Sequence, residues 1–444
     1  MNVSEVKMTA AQAPPGRPGT ARTYPAFRWF MLATVTAGYV VAGVFTIVFA
    51  PILGIVAREF GISVGQITVV AIATYTFTAA VAIIVSGPIL DRFGIRLPLV
   101  AGAALLVISL ALVPYLSHSL TGIVVLRVLA GLGVGPVSAC VSAVAARWFP
   151  AEEQGVFTGA QGAGMALGVA VGLLAMPAAL ARCHGDWRAA MTWLVIAPVV
   201  CLALSLGTLA RRDPPMGPAE GLVEGGTSLD QFRLALHQPA FYIGIASMFV
   251  FAWIMQAFNA LTPTYLASDG PLGLGFGPMR AGQFMSAVQV GMVLGAMACG
   301  LLMEKVFGGS ARPVVMIGLL LAGVFMVSVK VHFVNSNPAV LALCLFLAGF
   351  FESFVVPCVS AFISRHYPPA TLGRVFGLSF GISLFGGSVG VAVGGILLHY
   401  TESYRWPIVL VGLIALLGSV ASGLLRPPSV FGSSVGAAMA GRDV

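Results

Sequence analysis

The chain is predicted to be an all-α membrane protein, with 12 transmembrane helices in two pseudo-symmetric six-helix bundles. Three observations predict it. Of its 444 residues, 58% are hydrophobic and only 9% are charged. Mean hydropathy is +0.98, whereas soluble domains carry roughly 25% charged residues. The apolar residues fall into twelve runs, each about as long as the roughly 20 residues a helix needs to cross a bilayer core. Short matches recur in order between the first six runs and the second six, which is the mark of a duplication.

Each run is read as a helix because lipid offers no partner to an unpaired backbone N–H or C=O. The first run, 29–53, follows a segment, 1–28, that mixes Lys7, Arg17, Arg22 and Arg28 with PPGRPG. No apolar stretch with a small-residue cleavage site precedes it, so 1–28 is expected to be an uncleaved, disordered cytoplasmic tail. The second run, 65–90, ends in the charged cluster GPILDRFGIR (87–96), and the third covers 97–117. The fourth, 119–147, carries Arg127, with Gly131 and Gly135 on the same helical face. Pro136 is expected to kink it. The fifth, 157–180, is glycine-rich (GAQGAGMALGVAVG), with small-xxx-small spacings that let helices approach. The sixth covers 188–210.

The longest polar interruption, rich in Pro, Gly and acids, follows at 211–240 and divides a bundle at 29–210 from one at 241–425. The seventh run, 241–267, has Gln256 and Asn259 at i and i+3, on one face. The eighth, 281–303, leads into GLLMEK, and the ninth is 313–334. The tenth, 338–364, holds Glu352 and Pro357; the eleventh, 372–398, is again glycine-rich; the twelfth is 405–425. The remainder, 426–444, is expected to be a cytoplasmic tail.

The internal matches are specific. CVSAVAARWFP (140–150) parallels CVSAFISRHYP (358–368). GVF (155–157) parallels RVF (374–376), and DWR (186–188) parallels YRW (404–406). GPILDR (87–92) parallels GLLMEK, which sets Asp91 opposite Glu304 and Arg92 opposite Lys305. With the N-terminus inside, 16 of the 23 Lys and Arg lie on the inner side, six on the outer, and Arg127 within a span. Both termini are therefore expected in the cytoplasm. The net charge of +8 is explained by this bias, and no basic run of nucleic-acid type occurs. The six cysteines include no CxxC, so neither a zinc site nor a disulfide framework is indicated. HExxH and Walker-type loops are absent, which argues against an enzyme.

The cluster between the second and third runs resembles the most specific signature of the major facilitator superfamily. It reads Gly87, Asp91, Arg92, Gly94 and Arg96, with Ile95 where the family usually has a base. The similarity covers nearly all of the chain beyond residue 28. It implies a transporter that works by alternating access, without a cofactor or metal. It further implies that Asp91 latches the outward-open state through bases and a helix N-terminus across the domain interface, with Glu304 and Lys305 as the echo in the second half. The glycines permit a tight turn and close helix approach. A topological role for the bases alone is the competing reading.

Two ionisable residues fall well inside runs, Arg127 and Glu352. Each costs about 2.5–3.5 kcal/mol at a helix centre, so each needs a partner or water. Both lie on the fourth run of a half, which in this family lines the central cavity. Arg127 (LRVLAGLGVGP) resembles the family's second motif. Its guanidinium suits a bidentate grip on an anionic substrate, or retention of water, or structural bonds to neighbouring helices. Glu352 is the expected proton-coupling residue: burial favours its neutral form and a nearby base its charged form. A cation-binding or purely structural acid is the alternative. The repeat sets Glu352 opposite Val134, so no direct salt bridge between the two is implied. Tyr39, Gln161, Gln256, Asn259 and Gln289 are further substrate-binding candidates, each also explicable as interhelical glue.

The expected function is transport of a small organic anion, a carboxylate, coupled to protons. The eighth run lacks the base that monocarboxylate and oxalate carriers of this superfamily place there. The alternative is proton-driven efflux of hydrophobic or cationic compounds. A non-transporting membrane sensor of the same fold is a third reading. The expected partners are a small-molecule substrate, protons and the lipid bilayer, with no nucleic acid. A monomer in the plasma membrane, of the bacterial inner-membrane kind, is the expected setting.

Overall fold

The computed structural model describes residues 26–210, 228–367 and 372–426. Both predicted tails, apart from a few residues next to the bundles, and linker residues 211–227 lie outside these. Among the described residues eleven helices are long and apolar enough to cross a bilayer, and the apolar helix Arg96–Ala111 makes the twelfth crossing. It is the short one for a local reason. Pro114 has no N–H for the carbonyl of Leu110, so the helix is interrupted and resumes as Val113–Leu116.

Proline shapes other spans too. The first runs as Arg28–Ile47, tightens into a 3₁₀ turn at Ala50–Ile52 around Pro51, and resumes as Leu53–Phe60. The tenth is Pro338–Glu352 and then Val355–His366, broken four residues ahead of Pro357, which leaves the Ser353 carbonyl without a helical donor. The fourth, Leu120–Trp148, instead remains one helix through Pro136. The second opens on a capping box: Ser63 Oγ accepts from Gln66 N at 3.1 Å, and Gln66 Oε1 from Ser63 N at 3.0 Å. It passes through a π turn, Val69–Ala73, before Thr74–Phe93.

The remaining spans are Ala151–Arg182, Trp187–Trp193 with Ile196–Gly207, Pro239–Ala267, Gly277–Lys305, Ala311–Ser328, Leu372–Thr401 and Arg405–Ser422. Their pairing repeats between halves. In the first bundle span one packs on five, two on four and three on six; in the second, seven packs on eleven, eight on ten and nine on twelve. The bundles meet where span two faces eleven and span five faces eight, a reciprocal pairing consistent with a pseudo-twofold relation.

Because the number of crossings is even, Arg28 and Arg426 lie on one face of the molecule, here the near face. The bundles close against each other toward the far face. Thr264 Oγ1 donates to Ala50 O at 2.8 Å, and Ser63 Oγ lies 2.8 Å from His399 Nδ1. At mid-depth Ser388 Oγ donates to Thr76 Oγ1 at 3.1 Å, and the Phe77 and Phe385 rings are 5.6 Å apart.

Candidate functional site

Arg127 is 2% exposed. The helical face it shares with Gly131 is pressed onto span two: a Cβ on Gly131 would lie 2.7 Å from Thr78 Cβ and 2.9 Å from the Tyr75 carbonyl. Only glycine allows that approach. The guanidinium reaches the weak points of two helices. Nε donates to Ala71 O in the π turn. Nη2 donates to Phe45 O at 2.9 Å, in the last turn of the helix that ends at Ile47, where backbone donors run out. Its carbon sits 4.2 Å from the Tyr75 ring centre and 5.0 Å from that of Phe49, within the range of cation–π attraction. Tyr75 Oη donates to Ala42 O at 3.3 Å. Two donors of the fork expected for an anionic solute are thus engaged by the protein's own carbonyls. Nη1 has no partner among the described residues.

Glu352 is fully buried, at the last position before the break in span ten. Neither carboxyl oxygen has a hydrogen-bond partner among the described residues. Its neighbours in sequence form an aromatic cluster: Phe350 lies 5.3 Å from Phe351 and 5.4 Å from Phe354, ring centre to ring centre. A fully buried carboxylate with no hydrogen bond carries a large desolvation cost, which the neutral acid carries to a far smaller degree. Arg127 makes its contacts within the first bundle, and no ion pair joins it to Glu352 among the described residues.

The other polar candidates fall into two sets. In the first bundle Tyr39 Oη donates to Ser138 O at 3.5 Å, and Gln161 Nε2 donates to Thr36 Oγ1 at 3.0 Å. Gln161 Oε1 is buried without a partner among the described residues. In the second, Gln289 Nε2 donates to Asn259 Oδ1 at 3.1 Å, and Asn259 Nδ2 to Met255 O at 2.9 Å. Gln256 is half-buried against Gly387 of span eleven. Thr36 was not apparent from the sequence, because one threonine in an apolar run carries no distinguishing signal.

At the near face, the charged cluster ends span two. Gly94 closes the helix at φ +75°, a backbone conformation glycine adopts without strain. Gly87 leaves open space where a Cβ would stand. Arg92 is exposed, with its guanidinium 5.3 Å from the Phe93 ring centre, and Arg96 is half-exposed. The Asp91 side chain lies outside the described residues. Its counterpart in the second half is clear: Glu304 forms an ion pair with Arg365, whose Nη1 donates to Gly309 O at 2.9 Å. Lys305 is exposed.

A twelve-span duplicated architecture with this paired cluster defines a family, and the comparison with family models agrees. The model of the Major Facilitator Superfamily matches residues 35–327 and 272–440. The chain belongs to the major facilitator superfamily. Among curated proteins, this superfamily member is similar to the multidrug transporter AQR1 of Candida glabrata, 30% identical over 182 residues, 40% of this chain and 30% of that protein. It is similar to quinidine resistance protein 1 of Saccharomyces cerevisiae, 30% identical over 158 residues, 36% of this chain and 27% of that protein. It is also similar to the probable anion transporter 3, chloroplastic, of Arabidopsis thaliana, 32% identical over 95 residues, 21% of this chain and 19% of that protein. The matches span less than a third of these relatives' lengths. Among solved structures, a D-xylose–proton symporter has a TM-score of 0.69 at 17% identity, covering 91% of this chain and 99% of the other. A bacterial homologue of the human lysosomal transporter Spinster, inward-facing and unoccupied, has a TM-score of 0.71 at 14% identity, covering 91% and 98%. At these identities the likeness concerns the fold.

Proposed function

We propose that this superfamily member is a proton-coupled secondary transporter that exchanges protons for hydrophobic or cationic solutes, with Glu352 as the proton carrier. The observation that carries the reading is the fully buried Glu352 carboxyl, neither oxygen of which has a hydrogen-bond partner among the described residues. Such a group gives up its proton only when the site opens to water or a cation takes the proton's place. Alternating access supplies both situations in turn. The positive-inside bias sets the near face in the cytoplasm, and the far-side closure then corresponds to an inward-facing form. A single chain in a plasma or bacterial inner membrane, with a 29–210 bundle and a 241–425 bundle, suffices for this cycle.

An organic anion is the second reading, favoured by Nη1 of Arg127, which has no partner among the described residues. Its weakness is that the other two contacting donors of Arg127 go to Ala71 and Phe45 carbonyls. The two readings separate in proteoliposomes carrying an imposed pH gradient. Exchange predicts proton efflux driven by a lipophilic cation such as tetraphenylphosphonium, absent with Glu352→Gln. Gradient-driven accumulation of labelled benzoate, with no response to the cation, would establish the anion reading instead.

A further inference from the structure

We propose that a groove between spans three and six, at the far face, is a specific site for a phospholipid whose head group carries both a phosphate and a primary ammonium, as in phosphatidylethanolamine. The inference rests on the membrane-spanning fold and not on Glu352 or on the solute.

Two proline breaks make the groove. Span three is interrupted ahead of Pro114, as described above. Span six is interrupted between Trp193 and Ile196, because Pro198 has no N–H for the Leu194 carbonyl. The short helices beside these breaks, Val113–Leu116 and Trp187–Trp193, pack on each other. They border a groove of about 620 Å³, whose apolar lining includes Pro114, Ala189, Val195 and Ile196. That lining continues along span six onto Val199 and Val200, which are exposed like Ile196. In a bilayer this apolar flank is covered by lipid chains, so a head group lodged in the groove has its chains already in place.

The polar lining offers both signs of charge side by side, from Arg188 and Asp186. Arg188 is fixed by the protein: Nε donates to Ser117 Oγ at 3.0 Å, and Nη2 donates to Ser117 O at 3.1 Å and to Glu59 Oε1. Trp187 Nε1 holds the other Glu59 oxygen at 2.7 Å. Nη1 makes no hydrogen bond among the described residues, so it keeps two N–H donors for a phosphate. A guanidinium already held on its other nitrogens loses little freedom when the phosphate binds. Asp186 is half used. Its Oδ1 accepts from Arg188 N at 2.9 Å and Ala189 N at 3.3 Å, while Oδ2 has no partner among the described residues. His118, also in the lining, places Nε2 2.9 Å from Pro114 O. That contact puts a ring proton on Nε2 and leaves Nδ1 of the neutral ring as an acceptor. A primary ammonium brings three N–H donors to these acceptors, whereas a quaternary ammonium brings none. An anionic head group without an amine would set its charge against Asp186 uncompensated. Trp193, 67% exposed in the same lining, is the amphipathic kind of ring that sits at head-group level.

Native mass spectrometry of the full chain in detergent tests the site. The protein is titrated separately with phosphatidylethanolamine, phosphatidylcholine and phosphatidylglycerol of equal chain length, and the affinity for the first bound lipid is read. The wild type should hold phosphatidylethanolamine roughly tenfold more tightly than either of the others, the effect of a charge-assisted hydrogen bond. Asp186→Asn keeps a good cap on the helix that follows but removes the charge, and should bring the preference over phosphatidylcholine to within about twofold. Ala189→Phe fills the groove at a half-buried position and should weaken phosphatidylethanolamine to the level of the other two lipids. If Asp186→Asn unfolds at a lower temperature than the wild type, Ala189→Phe decides. Equal affinity for the three lipids in the wild type, the mark of annular lipid only, overturns the proposal. So does an unchanged phosphatidylethanolamine preference in Asp186→Asn that folds as the wild type does, or in Ala189→Phe.

Discussion

Replacing Arg127 with lysine separates a structural arginine from a solute-binding one. Lysine keeps the charge, and with it the desolvation cost, but loses the planar fork. The two carbonyl acceptors, Ala71 O and Phe45 O, belong to different spans. A single ammonium on a flexible stem satisfies at most one of them well. The loss is one charge-assisted hydrogen bond, about 1.5–3 kcal/mol. Weakened contact with the Tyr75 and Phe49 rings adds about 0.5–1 kcal/mol, for roughly 2–4 kcal/mol in all. The assay is thermal unfolding of the purified protein in one detergent, run beside transport in proteoliposomes. Arg127→Lys should unfold at least roughly 3 °C lower, while solute affinity in the surviving folded fraction stays within about threefold. Unfolding at the wild-type temperature together with a tenfold or greater loss of affinity would refute the bracing role and return Arg127 to the solute.

Other substitutions probe the remaining contacts. Glu352→Gln, a neutral isostere, should leave the unfolding temperature at or above wild type and abolish pH-driven transport; normal proton coupling would exclude the residue as carrier. Thr264→Val removes the cross-bundle bond to Ala50 O, 2.8 Å long. Far-face exchange over 50–60 should rise by roughly two- to tenfold, and unchanged protection would show that this bond does not hold the closure. Gly131→Leu forces a side chain into the contact with Thr78 and should cost about 1–3 kcal/mol or more, read as aggregation or early unfolding in detergent. Glu304→Gln breaks an ion pair between half-exposed partners, which should shift stability by less than about 1 kcal/mol while slowing turnover. A wild-type rate would deny the pair a gating role.

The architecture was legible in the sequence because its causes are local. Each apolar run must satisfy its own backbone in lipid, so twelve runs mean twelve helices, and the short matches between halves mark the second bundle as a copy of the first. Prolines gave part of the detail: Pro357 does break span ten, whereas span four runs through Pro136. Proline alone does not decide that outcome.

The sequence picked out Arg127 and Glu352 because an ionisable residue in an apolar run is conspicuous, but it left their partners open. A carbonyl whose own helix is interrupted is the readier acceptor for Arg127. The π turn at Val69–Ala73 and the end of the first helix at Ile47 become neighbours of span four only once the bundle packs. The Ser63–His399 and Thr264–Ala50 contacts were invisible for the same reason. They join residues 336 and 214 positions apart, through side chains that are unremarkable where they stand. Helix formation and membrane insertion are decided within a span, by hydropathy and backbone hydrogen bonding. Which polar atom finds a partner, and which buried acid is left without one, is decided between spans, by the packing of the two bundles.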